Sequence, residues 1–178
     1  MRIKDFTCVV FDVEALNNVF TCTLYNTETN MLTTYEVSER RNEMKQLINY
    51  FKDNSLIFVG YNNIHFDNVI INYCISYFDN DKYDAKKITN SIKNLSKIII
   101  NEDDFDRWKT WKYAKNFQTI DLLTMLYSQA LRVSLKEMQV TMHYKNVQEF
   151  VVDWENDLPL DKVDELVNYN INDVMSTL

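Results

Sequence analysis

The chain has 178 residues, of which 46% are hydrophobic and 13% aromatic, so it can bury a sizeable core as one domain. Lys and Arg total 19 against 26 Asp and Glu, and the net charge of −7 argues against the broadly basic surface of a passive nucleic-acid binder. The basic residues are concentrated in one place, because segment 82–115 carries nine basic against five acidic side chains.

The strand-forming segments lie mainly in the first sixty residues. Phe6 to Glu14, Val19 to Tyr25 and Met31 to Val37 are β-prone with Asn and Thr turns between them, which predicts a three-strand meander. Ser38 then precedes an amphipathic pattern and is predicted to cap a helix. The apolar positions of that helix are Met44, Leu47, Ile48 and Phe51. Leu56 to Gly60 predicts a short buried strand.

The second half of the chain is mainly helical in pattern. Phe66 to Tyr77 predicts a helix and Phe117 to Asp121 a further strand, and three more helices are predicted at Leu122 to Leu131, Ser134 to Met142 and Leu160 to Leu178. This order predicts an α/β fold with a central mixed β-sheet flanked by α-helices, as a single domain over 1–178.

The basic segment interrupts this order as a divergent insertion at about 79–116. Its apolar spacing indicates a helix through Ile88, Ile92, Leu95 and Ile99. Asp103 to Trp111 is predicted to be exposed. Trp108 and Trp111 alternate with basic residues there, which fits either a platform for single strands or a solvated charged loop.

Three cysteines, Cys8, Cys22 and Cys74, lie in apolar runs without paired metal-ligand spacing, which favours reduced core thiols over disulfides or zinc ligands. No apolar stretch approaches the roughly twenty residues of a membrane span, and the N-terminus does not resemble a signal peptide. We therefore expect a soluble protein of a reducing cytoplasm, with no membrane partner.

Four acidic residues and a tyrosine are the candidate functional residues: Asp12-x-Glu14, Asp67 and Tyr169-x-x-x-Asp173. Asp12 and Glu14 share one face of a strand because side chains alternate along it. Tyr169 and Asp173 share one helix face, four residues apart. Asp67 begins the helix that follows the short strand ending at Gly60. Parallel α/β topology places this helix start near the tip of a central strand. The four acids are expected to converge at one edge of the sheet.

A cluster of carboxylates is costly in a core unless cations neutralise it. Hard oxygen ligands suit Mg²⁺ or Mn²⁺, which keep waters and bridge to substrate phosphate. Two such ions about 3.5 to 4 Å apart would activate a water and stabilise the leaving oxygen in a displacement at phosphorus. We therefore expect a metal-dependent enzyme that hydrolyses phosphodiester bonds, with Asp12, Glu14, Asp67 and Asp173 as metal ligands.

The motifs resemble those of the DEDDy, or DnaQ-like, 3′→5′ exonucleases. Phe11-Asp12-Val13-Glu14 is similar to their first motif, Gly60-Tyr61-Asn62-Asn63-Ile64-His65-Phe66-Asp67 to the second as written in family B DNA polymerases, and Tyr169-Asn170-Ile171-Asn172-Asp173-Val174 to the third. Tyr169 stands where other relatives carry His, which is typical of the DEDDy branch. The resemblance implies a ribonuclease H-like fold and is greatest to the proofreading domain of phage-type family B polymerases.

The resemblance also implies roles for the metal-site residues. Asp12, Glu14 and Asp173 would hold the metal on the nucleophile side, with Asp12 bridging to the second ion. Asp67 would support the second ion through water, and Tyr169 would orient the attacking water.

Further residues are implied to contact substrate. Phe66 and either Asn62 or Asn63 would contact a single-stranded 3′ end, and the choice between the two asparagines stays open. The alternative for Phe66 is core packing. His65 is a candidate for phosphate contact, against the alternative of a solvated loop histidine.

Two helix starts carry further candidates. Val133-Ser134-Leu135-Lys136-Glu137-Met138 is similar to a Ser-Leu helix start found before the third motif in many DEDD nucleases, with Ser134 as the N-cap. Asp121 is either an outer-shell acid or the cap of the helix that follows it.

The implied activity is release of nucleoside 5′-monophosphates from the 3′ end of single-stranded or frayed DNA, with two Mg²⁺ or Mn²⁺ ions. The implied partners are the DNA 3′ end and a DNA polymerase module in cis or in trans, in the host cell cytoplasm if the chain is phage-encoded. Two alternatives stay open: an RNA-directed DEDD exoribonuclease, and a catalytically silent nucleic-acid-binding domain of a polymerase.

Overall fold

The computed structural model describes residues 2–3, 6–79, 82–101, 116–127, 133–151, 153 and 156–178. Within them the strands are β1 (Arg2–Ile3), β2 (Phe6–Ala15), β3 (Phe20–Asn26), β4 (Met31–Val37), β5 (Leu56–Gly60) and β6 (Gln118–Asp121). The α-helices are α1 (Met44–Phe51), α2 (Asp67–Tyr77), α3 (Ala85–Asn101), α4 (Leu122–Leu126), α5 (Leu135–Thr141) and α6 (Val163–Thr177). Short 3-10 helices at Asn63–His65 and Leu160–Lys162 precede α2 and α6.

The strands form one mixed sheet in the order β4-β3-β2-β5-β6, and β1 pairs with the beginning of β2. β2, β3 and β4 pair antiparallel, as the predicted meander requires. β5 runs parallel to β2, and β6 runs parallel to β5. The carboxyl ends of β2, β5 and β6 therefore lie at the same edge of the sheet.

Helices cover both faces of this sheet. Alternate residues of β2 point to opposite faces, so that Phe11 faces α1, α2 and α3 in the largest core cluster, where Phe51 stacks on Phe58 with ring centroids 4.1 Å apart. Val10 faces the other way and joins a smaller cluster with Val174 of α6. The prediction of an α/β fold with a flanked mixed sheet is confirmed.

Two predicted helix boundaries are wrong. Ser38 does not cap α1, because its hydroxyl donates to the buried Glu36 and accepts from the backbone N–H of Arg40. The chain makes a turn there, closed by a bridge between Val37 and Asn42, and α1 begins only at Met44. α4 ends at Leu126, where a helix to Leu131 was predicted, because the next residue takes an extended backbone conformation.

The helix predicted within the basic segment is α3, whose Ile88, Ile92 and Leu95 join the largest core cluster. The exposed insertion predicted at Asp103 to Trp111, the platform of Trp108 and Trp111, and residues 128–131 of the predicted α4 lie outside the described residues.

The three cysteines are buried and unpaired by disulfides, as predicted. Burial raises the pKa of the Cys22 and Cys74 thiols well above the ordinary value, which keeps both thiols protonated and unreactive. Among the described residues, no helix combines the length and the hydrophobicity that crossing a membrane requires.

Candidate functional site

Three carboxylates meet between β2 and α6. Asp12 and Glu14 leave the same face of β2 near its carboxyl end, and Asp173 comes from the face of α6 that covers the sheet. One carboxylate oxygen from each of the three lies within 4.8 Å of the other two. Residues about 160 positions apart along the chain are thus brought together at one edge of the sheet, as the predicted strand and helix faces indicated.

Asp67 lies beside this cluster at the first residue of α2, where it is buried. Its Oδ1 accepts a hydrogen bond of 3.1 Å from the backbone N–H of Val13, the residue between Asp12 and Glu14. Its charge acts on both neighbours, because it raises the pKa of Asp12 and of Glu14. The fourth predicted acid therefore belongs to the same edge of the sheet.

The four acids share one electrostatic environment. Burial, followed by repulsion from Asp67, Glu14 and Asp173, raises the pKa of Asp12 well above its usual range. Burial and repulsion from Asp173 and Asp67 raise the pKa of Glu14 from 4.5 to about 8. Burial raises the pKa of Asp67 to about 7, although backbone N–H groups partly offset this increase. Without a cation, the site therefore favours protonated carboxyls near neutral pH.

Three side chains hydrogen-bond to the cluster. The Tyr169 hydroxyl bonds to the Asp173 carboxylate, and burial together with this contact raises the pKa of Tyr169 well above its usual range, so the hydroxyl stays protonated. Gln139 donates from Nε2 to Oδ1 of Asp173 at 3.2 Å. Asn170 donates from Nδ2 to Oδ2 of Asp12 at 2.7 Å. Each of these bonds favours the ionised carboxylate that it contacts.

A positive charge borders the site. Lys136 of α5 places its Nζ 5.8 Å from the centre of the Tyr169 ring and lowers the pKa of Glu14 and Asp173.

The helix that carries Lys136 has a defined start, because Ser134 Oγ accepts from the Glu137 N–H at 3.2 Å while the Glu137 carboxylate accepts from the Ser134 N–H at 2.7 Å. Ser134 is thus the N-cap, as predicted.

The two candidate asparagines of the second motif differ in exposure. Asn62 is exposed and has a positive φ of 58°. Asn63 is 1% exposed and donates to Asn68 Oδ1 at 3.0 Å and to Thr119 Oγ1 at 2.8 Å, so its amide is committed to the fold. Asn62 is therefore the one of the two that a substrate can reach.

The other two candidate substrate residues also differ. His65 ends the 3-10 helix before α2 and is exposed. Phe66 is partly buried and packs against the largest core cluster. Its ring thus contributes to packing and retains some surface at the beginning of α2.

The loop that carries these residues is held by Asp121 at the end of β6. Its Oδ1 accepts from the N–H groups of Asn62 at 3.0 Å and Leu123 at 2.9 Å, and its Oδ2 accepts from the N–H of Ile64 at 3.1 Å. Asp121 therefore caps α4, one of the two predicted roles, and also fixes the second-motif loop. The close approach of this loop needs Gly60, since a Cβ there would lie 2.7 Å from Cβ of Asn63.

Lys136, Gln139 and Asn170 were not predicted from the sequence. The pattern of α6 contains a signal for Asn170, which shares the sheet-facing side of the helix with the apolar residues Val163, Leu166 and Val174. A polar residue on that side indicates a buried hydrogen bond. Lys136 and Gln139 lie three residues apart on one face of α5, but the sequence alone does not show which part of the protein that face contacts.

The donor set fits a hard divalent cation. Asp12, Glu14 and Asp173 offer only carboxylate oxygens, the ligands that Mg²⁺ and Mn²⁺ prefer. Burial and their mutual repulsion raise the pKa of Asp12 and Glu14, and a positive ion would relieve that repulsion. Comparisons of the chain with protein-family models, with curated proteins and with solved structures found no match.

Proposed function

We propose that this protein is a metal-dependent 3′→5′ exonuclease of the DEDDy type that acts on single-stranded or frayed DNA. The observation that carries the proposal is the convergence of Asp12, Glu14 and Asp173, with Tyr169 hydrogen-bonded to the last of them. Asp67 stands beside them at the beginning of α2. These residues occupy the elements and the motif order that the resemblance to DEDDy exonucleases implies.

The sheet supports the same proposal at the level of the fold. In the strand order β4-β3-β2-β5-β6, β2 has the antiparallel strands β3 and β4 on one side. On its other side lie β5 and β6, which run parallel to it. This arrangement is compatible with a ribonuclease H-like fold, which we propose for the chain. The carboxylates then lie at the carboxyl ends of the parallel strands, where open α/β sheets bind ligands.

Each side chain has a role in the proposed reaction. Asp12, Glu14 and Asp173 would hold one divalent ion, and Asp67, next to Asp12, would contribute to a second. Such ions, when bound, supply Lewis acidity at phosphate and a water of lowered pKa. Tyr169, protonated and fixed on Asp173, offers its hydroxyl oxygen as an acceptor for a water at that edge.

The substrate contacts follow from exposure and charge. Lys136 borders the carboxylates and would attract the phosphate next to the scissile bond. Asn62 and His65 are exposed on the second-motif loop, where a 3′-terminal nucleotide would pass. Phe66 presents its remaining ring surface beside them, and a base stacked on it would add on the order of 1–3 kcal/mol of binding.

Shortening of a 5′-labelled single-stranded DNA tests the proposal. With Mg²⁺ or Mn²⁺ we expect a ladder of labelled products that shortens from the 3′ end, and no products in EDTA. A DNA that is never shortened with either ion would overturn the proposal. A matched RNA arm detects the exoribonuclease alternative, and binding without cleavage would identify a silent binding domain.

The Tyr169 hydroxyl is predicted to act on turnover. Tyr169→Phe removes the hydroxyl but keeps the ring beside Phe150, so we expect kcat to fall about 10- to 100-fold while Mn²⁺ and DNA binding persist. Steady-state kinetics and a separate DNA-binding titration measure the two effects. Tyr144→Phe is the matched control, since that hydroxyl contacts Asn172 at 3.4 Å and no carboxylate of the cluster. Unchanged turnover in Tyr169→Phe would remove Tyr169 from the mechanism.

A further inference from the structure

Asn170 connects the last helix to the first acid of the site. It lies on the sheet-facing side of α6 and has 0% exposure. Its Nδ2 donates to Oδ2 of Asp12 at 2.7 Å, and its Oδ1 accepts from Oγ1 of Thr21 at 3.3 Å. Thr21, also 0% exposed, sits on β3 directly opposite Glu14. Both ends of the amide are therefore engaged by groups next to the carboxylates.

The chemistry of the partners fixes which way the amide points. In the ionised state that binds a cation, the Asp12 carboxylate can only accept hydrogen bonds, so the amide nitrogen of Asn170 faces Asp12 in that state. The amide oxygen then faces Thr21, whose hydroxyl can donate to it. A reversed amide would place its oxygen against the carboxylate and leave a repulsive contact. Thr21 thus holds Asn170, and Asn170 holds Asp12, in one orientation.

This arrangement has a cost that simple packing would avoid. The stripe of α6 around Asn170 is apolar at Val163, Leu166 and Val174, and a leucine there would cover the sheet without a buried polar group. The hydrogen bond from the Asn170 amide uses one acceptor position of the Asp12 carboxylate. The remaining acceptor positions on its two oxygens are left for a cation.

We propose that Asn170 is a positioning residue, which holds the Asp12 carboxylate in the orientation that binds the divalent cation, with Thr21 fixing the Asn170 amide. The inference rests on the proposed metal-dependent function and assigns a role to a residue that does not itself touch the cation. The orientation of Asp12 is set before a cation arrives, so less ordering is needed when it binds.

Mn²⁺ affinity of the DNA-free protein tests this role directly, because it does not depend on turnover. Titration with Mn²⁺ alone, followed by the electron paramagnetic resonance signal of the free ion, compares the wild type with Asn170→Ala. We expect the variant to bind Mn²⁺ about 10- to 100-fold more weakly, the usual loss when an orienting group behind a metal ligand is removed. In nuclease assays the Mn²⁺ concentration for half-maximal rate should rise in the same proportion.

Asn172→Ala is the matched control. Asn172 is a buried asparagine of the same helix, but its Oδ1 accepts from Asn146 at 2.8 Å and from Tyr144 at 3.4 Å, away from the carboxylates. We expect its Mn²⁺ affinity to stay near that of the wild type. Equal weakening in both variants would show that α6 packing alone is responsible, and would overturn the inference.

A second variant covers the case in which Asn170→Ala does not fold. Thr21→Val keeps the shape of the side chain and removes the hydroxyl that fixes the amide, so Mn²⁺ affinity should fall and Thr21→Ser should restore it. Wild-type affinity in Asn170→Ala, or in Thr21→Val where Asn170→Ala does not fold, would overturn the inference and leave the proposed nuclease standing. A wild type that binds no Mn²⁺ would overturn both.

Discussion

Asp12→Asn is expected to abolish the proposed nuclease activity and, at the same time, to stabilise the metal-free protein. The activity should fall on the order of 10³-fold or more, because the amide cannot supply the negative charge at the position where three carboxylates meet. The stability should rise because Asp12 is a buried carboxylate repelled by Asp67, Glu14 and Asp173, and the substitution removes that repulsion. The amide oxygen of the new side chain can still accept from Asn170.

Two measurements check this pair of effects. A labelled-DNA assay in Mg²⁺ or Mn²⁺ gives the rate, and thermal unfolding in EDTA at about pH 8 gives the stability. Asp157→Asn is the matched control, because Asp157 is exposed and outside the cluster, so both quantities should stay at wild-type values. Retained activity in Asp12→Asn would remove Asp12 from the proposed metal site. A lower melting temperature in EDTA would contradict the repulsion.

The metal-free protein is expected to lose stability as the pH rises from about 5 to about 8.5. Glu14 has its pKa raised from 4.5 to about 8 and Asp67 from 3.8 to about 7, mainly by burial. Between the ordinary and the raised pKa, the folded state keeps a proton that the unfolded state has lost, so rising pH favours unfolding. The stabilisation is fully present below about pH 4 and is lost as the pH passes through about 7 and 8.

Divalent cations should reverse this trend at the alkaline end. The cation binds the deprotonated carboxylates, so Mg²⁺ should raise the melting temperature at about pH 8.5 and have little effect at about pH 5. We expect the metal-free melting temperature to fall by at least about 3 °C over this range, which for a chain of this size corresponds to about 1 kcal/mol. Thermal unfolding in EDTA and in Mg²⁺ across the pH range measures both effects.

Glu14→Gln separates the cluster from the other carboxylates of the chain. Since the variant has no acid to titrate at position 14, its metal-free melting temperature should vary less with pH between about 5 and 8.5 than that of the wild type. A wild type whose metal-free stability is flat or rises over this range would contradict the pKa shifts on which the expectation rests.

The local patterns of the chain predicted the strands well. Met31–Val37 and Leu56–Gly60 have the bounds that their apolar and β-branched residues indicated. Leu56–Gly60 lies inside the sheet and is buried along its whole length, whereas Met31–Val37 is an edge strand whose first residues are exposed. Ser38 shows where local pattern was insufficient. Its sequence favours an N-cap, but the buried Glu36 captures its hydroxyl, and the helix starts after the turn. A contact of this kind depends on tertiary structure.

For the site, too, the sequence predicted the features that depend on a single strand or helix and missed those that depend on contacts between elements. Alternation along β2 placed Asp12 and Glu14 on one face, and helical spacing placed Tyr169 beside Asp173, since both are properties of one element. The contacts of Gln139 and Lys136 depend on how α5 is rotated against α6, which spacing within a helix cannot give. The choice between Asn62 and Asn63 likewise depended on the backbone of the turn, in which Asn62 takes a left-handed conformation.

The docking of α6 across β2 and β3 bears on how the protein behaves while it is being synthesised. A growing chain displays Asp12 and Glu14 on β2, but Asp173 and Asn170 exist only after about 160 further residues have left the ribosome. The assembly of the site therefore waits for a contact of very high sequence separation, one of the slowest kinds to form. A nascent chain would thus carry an incomplete and inert site, and the proposed cleavage of nucleic acid would begin only once α6 had docked.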